Sequence, residues 1–203
     1  MAGKATAQAV EIIELRQTTG LFTVEGVTPL IVHNWSRKAK QEMLDKQMGK
    51  AKPKKDPKDP TADYNDSRYR LDNKRDGFPA VAFKSAIVGA ARLFEGITMT
   101  ALRGSIFVYG EGPELLVPIV GKPEMREDMV RIGSGTADIR YRAAYYPWSA
   151  KLKIRWVESA FTVEQMLALV NAAGIGGVGE WRPSKSAGGQ YGMFTVTDGN
   201  VTK

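Results

Sequence analysis

The order of apolar patterns along the chain restricts its fold more than any other feature. Residues 79–95 and 162–173 each have the periodicity of an amphipathic helix. Four other segments have the composition or the alternation of strands. These strand segments are residues 21–32, 104–110, 151–157 and 191–197. From residue 21 onwards the predicted order is therefore strand, helix, strand, strand, helix, strand.

This βαββαβ order predicts an α+β fold of the ferredoxin-like or RRM-like type. We expect one domain over residues 1–203 with two insertions. Residues 33–77, after the first strand, contain a predicted basic helix (36–49) and a charged, proline-containing mobile loop (50–67). Residues 111–149, between the two middle strands, contain a predicted thumb-like β-hairpin.

Glycine and proline positions predict the finer boundaries. Gly20 predicts a turn that joins a strand at residues 8–16 to the first core strand. Pro118 predicts an edge position or a hairpin arm for its apolar segment. Proline has no backbone N–H to donate to a neighbouring strand, so it is rarely found in a central strand. The predicted helix boundaries are Pro79 and Gly96 for the first helix, and Thr162 and Gly174 for the second.

The charge of the chain favours a polyanionic partner. The sequence has 29 Lys and Arg against 22 Asp and Glu, a net charge of +7. Nucleic acid is favoured over a membrane, since no apolar run approaches a spanning length. Many proteins carry such a charge and bind no polyanion, so that alternative stays open. The absence of Cys excludes disulfides and thiolate chemistry, and without a signal-peptide pattern we expect a cytoplasmic protein.

Two groups of cations are candidates for phosphate contacts. Lys151, Lys153 and Arg155 alternate with apolar residues, which places all three on one face of a strand. The inserted hairpin mixes arginines with Tyr and Trp, a pairing typical of surfaces that contact phosphates and stack on bases. Packing of those aromatic side chains on the core is the alternative. The hairpin candidates are Arg131, Arg140 and Arg142.

Residues 174–194 contain seven of the 21 glycines of the chain. They include a G-x-G-x-x-G match and a near match to a Walker A motif, but they follow a helix and lead to a strand. No mononucleotide site is therefore expected. Either the glycines let this glycine loop lie along an extended polynucleotide, or they pack a helix against the sheet. The candidate contacts are Trp181, Arg182, Lys185, Gly188, Gly189 and Tyr191.

Two segments resemble those of the RAMP superfamily, the repeat-associated CRISPR proteins that include subunits coating guide RNA. "FPAVAFKSAIVGAAR" is similar to the family's helix start, with Lys84 and Arg92 among the matching positions. "GGQYGMF" is similar to its C-terminal glycine-rich loop, except that Gly189 and Gln190 stand where the family has an Arg. The chain also resembles phage-encoded proteins through "TPLIVHN", "MTALRG" and "GEWRP".

The resemblance implies a protein that binds single-stranded nucleic acid, RNA in preference to DNA. It also implies side-by-side assembly along the strand, as a homo-oligomer or a filament. We expect no enzymatic activity, no cofactor and no metal. One alternative is a metal-independent endoribonuclease that uses His33, the only histidine, as general acid or base. Another is a phage structural or assembly protein whose basic faces contact other subunits.

Overall fold

A computed structural model gives the structure of the chain for residues 14–35, 37–50, 57–132 and 135–202. Within these residues the strands are β1 (Gln17–Gly26), β2 (Leu30–Ile31), β3 (Tyr69–Arg70), β4 (Asp76–Pro79), β5 (Ile106–Val108), β6 (Leu116–Val120), β7 (Pro123–Ile132), β8 (Thr136–Tyr145), β9 (Ser149–Val157) and β10 (Phe194–Thr202). The helices are α1 (Arg37–Gln47), α2 (Pro60–Asp66), α3 (Ala80–Ala90), α4 (Met99–Ser105) and α5 (Val163–Gly176). A 3₁₀ turn (Ala91–Leu93) follows α3.

The larger sheet contains the predicted core. Its order is β10-β1-β9-β6-β4-β3, and β5 also pairs with β9. β1 is antiparallel to β10 and to β9, and β9 is antiparallel to β5. The four strands that alternate with α3 and α5 along the chain thus lie in the order last, first, third, second. The predicted α+β, RRM-like fold is confirmed.

The helices α3 and α5 pack against each other and against the sheet. Each buries side chains at helical spacing. The buried residues include Phe83, Ile87 and Ala90 of α3, and Met166, Leu169 and Val170 of α5. At the start of α5, the Thr162 hydroxyl accepts the amide of Gln165, and the Gln165 side chain accepts the amide of Thr162. This capping box fixes where the helix begins.

The second insertion contains the predicted hairpin. β7 and β8 pair over their full length, from Pro123 opposite Tyr145 to Ile132 opposite Thr136. β2 joins the base of β8, which gives a second sheet in the order β2-β8-β7. The Tyr64 hydroxyl of α2 donates a 3.1 Å hydrogen bond to the carbonyl of Pro123. The base of the hairpin is therefore held by both β2 and α2.

The start of the first core strand differs from the prediction. β1 continues through Gly20, where the sequence predicts a turn, because Gly20 pairs with Ile154 of β9 inside the sheet. Residues 14–16 have no regular structure, and the rest of the predicted strand at residues 8–16 lies outside the described residues. Glycine is compatible with a strand interior as well as with a turn, so its presence alone did not decide between them.

The end of that strand also differs, because the predicted segment 21–32 is divided between β1 and β2. A Cβ on Gly26, the last residue of β1, would lie 2.0 Å from Nε1 of Trp148. The Trp148 indole donates a 2.9 Å hydrogen bond to the carbonyl of Thr28 in the connection. The close packing of Trp148 on Gly26 therefore accompanies the break between the strands.

Pro118 does not make β6 an edge strand. β6 lies between β9 and β4, although the sequence predicts an edge or a hairpin arm. Pro118 pairs with Gly77 of β4, and β6 pairs with β9 only through Ile119 and Val120. Pro118 thus precedes the stretch in which β6 has neighbours on both sides, so its missing amide is tolerated.

Part of the predicted mobile loop is a helix. Asp59 caps α2 by accepting the amides of Thr61 and Ala62 at 3.0 Å, and Pro60 occupies the first turn. The charged composition of the segment hid this short helix, because α2 has no buried residue of its own. Residues 51–56 of the predicted loop lie outside the described residues.

The helix ends are shifted relative to the prediction. Pro79 precedes α3 instead of occupying its first turn, and α3 ends at Ala90, well before Gly96. α5 continues past Gly174 to Gly176, and Gly177 follows it with φ of 67°. A Cβ on Gly174 would lie 1.8 Å from the carbonyl oxygen of Phe194. Gly174 thus allows α5 to approach β10 closely, which is packing and not capping.

Candidate nucleic-acid interface

The exposed face of β9 carries the three cations that the alternation predicts. Along β9, Lys151, Lys153 and Arg155 are exposed, whereas the residues between them are buried. Their partners on β1 are Thr23, Leu21 and Thr19. The predicted orientation of these cations is confirmed, and we call this surface the open face.

Two aromatic side chains extend the open face onto the neighbouring strand. Phe107 of β5 lies opposite Arg155, and its side chain is 37% exposed. The Phe107 and Tyr109 rings contact each other edge to face, with centroids 4.9 Å apart. The Lys153 ammonium lies 5.0 Å from the Tyr109 ring centroid, and the Arg155 guanidinium lies 5.4 Å from that of Phe107. Cations and aromatic rings therefore share one surface.

Sequence reasoning did not identify Phe107 and Tyr109 as candidate site residues. The available signal is their spacing, because two aromatic residues two positions apart point to the same face of a strand. Residues Ile106 and Val108 between and beside them are buried. The alternation in "IFVY" thus indicates the same outward face as the alternation in "KLKIRW".

The hairpin arginines divide into exposed and buried residues. Arg131 is exposed near the tip, and Arg140 lies 3.7 Å from the Asp138 carboxylate. Arg142 is only 2% exposed, 4.0 Å from Asp128 and 3.7 Å from Glu180. We therefore correct the predicted phosphate contact at Arg142, because its guanidinium is not at the surface. It lies instead between the hairpin and the glycine loop that contains Glu180.

A second contact joins the same two segments. The Arg126 guanidinium of β7 lies 4.7 Å from the ring centroid of Tyr191 in the glycine loop, and it also pairs with Asp128 at 2.8 Å. Tyr191 is half-buried in this position. One face of its ring is therefore occupied by a cation of the protein itself.

The glycines of the loop mostly pack protein backbone. Gly192 has φ of 69°, and a Cβ on it would lie 1.7 Å from the carbonyl oxygen of Val178. A Cβ on Gly189 would lie 2.4 Å from the carbonyl oxygen of Trp181. Only Gly188 among the glycine candidates has open space at its Cβ position. Of the two alternatives, close packing therefore accounts for Gly189 and Gly192.

The other loop candidates remain accessible to different extents. Trp181 is 37% exposed and has φ of 55°, which is unusual for a bulky residue. Arg182 is half-buried and donates from Nη1 to the carbonyl of Gly179 at 2.6 Å. Lys185 is exposed. These three side chains could contact a ligand from the loop, whereas the glycines beside them set its shape.

The comparisons with known proteins concern the fold. No protein-family model and no curated protein matches the sequence. Among solved structures, a chain of the cryo-EM structure of the type III-B Cmr-beta bound to cognate target RNA superimposes with a TM-score of 0.52 and 11% identity. This likeness is one of fold. The match covers 92% of this chain and 61% of that chain, so this chain spans less than two thirds of its structural neighbour.

The two helix residues named by the resemblance have different surroundings. Lys84 of α3 donates from Nζ to the carbonyl of Arg103 at 3.0 Å, close to the end of α4. Such a contact satisfies a terminal helix carbonyl. Arg92, in the 3₁₀ turn, is exposed and makes no ion pair within the described part of the chain. Of the two, Arg92 has the side chain better placed for a ligand.

His33 lies between the glycine loop and the hairpin. Its Nδ1 is buried and has no hydrogen-bond partner within the described residues. Burial, followed by the positive charges of Arg142 and Arg140, lowers the pKa of His33 from 6.5, whereas Glu180 and Asp63 act in the opposite direction. The imidazole is therefore neutral at pH 7.

Two further features are absent from the described residues. No helix among them is long and apolar enough to cross a membrane. They also contain no cluster of three or more His, Asp or Glu side chains with the spacing of a metal site.

Proposed function

We propose that this protein binds single-stranded nucleic acid, with RNA favoured over DNA, and that it does so without catalysis. The observation that carries the proposal is the open face, where Lys151, Lys153 and Arg155 stand beside Phe107 and Tyr109. Single strands are bound by cations that track the backbone and by aromatic rings on which bases stack. An RRM uses aromatic residues on its exposed sheet face in this way.

The charge distribution supports a polyanion as ligand of this face. Three cations on one strand repel each other unless water screens their charges or a partner neutralises them. No carboxylate pairs with Lys153 or Arg155 within the described residues; their neighbours are the aromatic rings. A phosphate backbone would supply the missing negative charge.

The preference for RNA is supported by the structural neighbour, which was solved with cognate target RNA. Side-by-side assembly along the strand is supported by the resemblance to RAMP backbone subunits. A CRISPR-type or phage-type role and a cytoplasmic location stay predictions from the sequence.

Binding over a series of salt concentrations tests the proposal. A labelled single-stranded RNA of about thirty bases and the matching DNA would be titrated with the protein while fluorescence anisotropy is recorded. Three phosphate contacts at the open face give a slope of about 2 in log Kd against log salt, because each contributes about 0.7. We expect the RNA to bind more tightly than the DNA, and we expect several protomers to bind each strand. Absence of salt-dependent binding would instead favour the structural or assembly protein.

A second candidate function is the metal-independent endoribonuclease that uses His33. The neutral imidazole favours it, because a general base must be unprotonated, and His33 lines one cavity beside the glycine loop and another beside α2 and the hairpin. Incubation of end-labelled RNA with the protein in a chelator, followed by gel electrophoresis, separates the two functions. We expect intact RNA; cleavage that disappears in His33→Ala would establish the nuclease.

A further inference from the structure

A cavity of about 600 Å³ lies between α3, the end of α5 and the first part of the glycine loop. Its deep walls are formed by buried side chains, among them Phe78, Ala90 and Val178. Exposed apolar side chains, Leu93 and Ile175, stand at its mouth. Pockets of this size are typical of ligand sites.

Small residues keep the cavity open. Ala82, Ala86 and Gly89 lie on the α3 wall, and Gly176 lies on the wall formed by α5. A Cβ on Gly89, in the last turn of α3, would meet no atom within 4 Å. The absence of a side chain at Gly89 therefore leaves space on this wall of the cavity.

The polar lining has two kinds of groups. Arg92 and Arg182 bring two guanidinium groups; Arg92 has no ion pair within the described residues, and Arg182 uses only Nη1 on the Gly179 carbonyl. Glu180, Ser184 and His33 add hydrogen-bonding groups around an otherwise apolar space. A ligand that matches this lining has a flat apolar body with polar edges and an attached anion.

We propose that this cavity takes up one nucleobase of the bound strand, with Arg92 and Arg182 holding the adjacent phosphate. Nucleobases taken out of a stack are bound in this manner, by apolar contact with their faces and hydrogen bonds to their edges. The inference rests on the proposed function for the source of the base. The same chemistry would also accept a free nucleotide, and the experiment below separates the two sources.

Gly89→Leu is the variant that closes the cavity, and Gly104→Leu is its matched control. Gly104 lies in α4, has open space at its Cβ position and does not line the cavity. Both variants would be titrated with the four ribonucleoside 5′-monophosphates by calorimetry and with the single-stranded RNA by anisotropy. We expect Gly89→Leu to weaken binding of at least one monophosphate and of the RNA about tenfold or more, and Gly104→Leu to change neither more than about twofold.

RNA carrying single 2-aminopurine substitutions reports on the base directly, since its fluorescence rises when the base leaves the stack. We expect one register of positions to brighten on binding, and the brightening to disappear in Gly89→Leu. Loss of monophosphate binding alone would identify a free nucleotide as the ligand. The inference is overturned if Gly89→Leu, folded by circular dichroism, binds all probes as Gly104→Leu does.

Failure of the proposed function is distinguishable from failure of this inference. If Lys153→Glu leaves RNA affinity unchanged while Gly89→Leu abolishes monophosphate binding, the cavity site stands and the open face does not bind the strand. If Lys153→Glu weakens RNA binding while Gly89→Leu changes nothing, the open face binds the strand and the cavity does not take up a base.

Discussion

The open face and the glycine loop present the same residue classes, but the structure uses them differently. Both contain cations and aromatic residues. On the open face, Lys151, Lys153 and Arg155 are exposed and have no carboxylate partner at salt-bridge distance within the described chain. In the loop, Gly189 and Gly192 are packed against backbone, and Tyr191 is covered on one side by Arg126.

The difference lies in what each sequence signal measures. Alternation along a strand predicts the direction in which each side chain points, since successive side chains point to opposite faces. A high glycine content states only that side chains are absent, and absence serves a ligand and a tightly packed backbone equally well. The alternation therefore predicted an exposed surface, whereas the glycine content predicted only a turn.

The largest expected effect is a loss of stability in a variant of a glycine in the glycine loop. Gly192→Ala places a methyl group against the Val178 carbonyl at a positive φ, and we expect the free energy of unfolding to fall by about 3 kcal/mol. Gly188→Ala, in the same loop but with open space, is expected to change it by less than about 0.5 kcal/mol. Urea unfolding followed by circular dichroism measures both, and equal stabilities would refute the packing account of the loop.

The next effect concerns the aromatic residues. Replacing Phe107 and Tyr109 by Leu keeps apolar bulk but removes the stacking planes, and we expect RNA affinity to fall about tenfold to a hundredfold, since stacking of a base is worth about 1–3 kcal/mol. Trp181→Ala makes the corresponding change in the loop. A loss of the same size there means that the strand contacts both regions, and an unchanged affinity confines it to the open face. Anisotropy at one fixed salt concentration compares the variants.

A charge reversal on the open face should have a smaller effect. Lys153→Glu is expected to weaken RNA binding about tenfold and to reduce the salt slope by about 0.7, the contribution of one phosphate contact, without unfolding the protein. Lys74→Glu, in the exposed turn between β3 and β4, makes the same change in net charge at the β3 edge of the sheet, away from β9. Equal losses in both variants would indicate a response to net charge alone and would remove the assignment of the face.

The fold was predictable where a pattern extended over a whole element. The two helices and the longer core strands have an extended periodic signal, and the order of these elements fixes the topology. β4 and α2 were missed, because β4 has only four residues and α2 lies in a charged segment and buries no residue of its own. Whether Pro118 lies in an edge strand depends on which strands pair with β6, and no local sequence pattern contains that information.

The site was predictable only in its strand part. The direction of Lys153 follows from its own strand, whereas the burial of Arg142 depends on Asp128 and Glu180, which arrive from two other segments. The cavity beside α3 could not be read from the sequence either, since alanines and glycines on a helix indicate close packing as readily as open space.

The smallest expected effect is a pH dependence of stability that comes from His33, which lies beside the glycine loop. Burial and the neighbouring Arg142 and Arg140 lower the pKa of His33 in the folded chain, so protonation costs more in the folded than in the unfolded state. The contribution of neutral His33 to stability is therefore complete above 6.5, its ordinary pKa, and is lost as the pH falls through the lower folded value. Other groups titrate in this range, so the expected result is a difference: from about pH 8 to about pH 5, the wild-type protein loses more of its free energy of unfolding than His33→Asn does. Urea unfolding at several pH values measures both curves. Parallel curves would mean that His33 is solvated in the folded protein, which would also remove the reason to assign a neutral base beside the glycine loop.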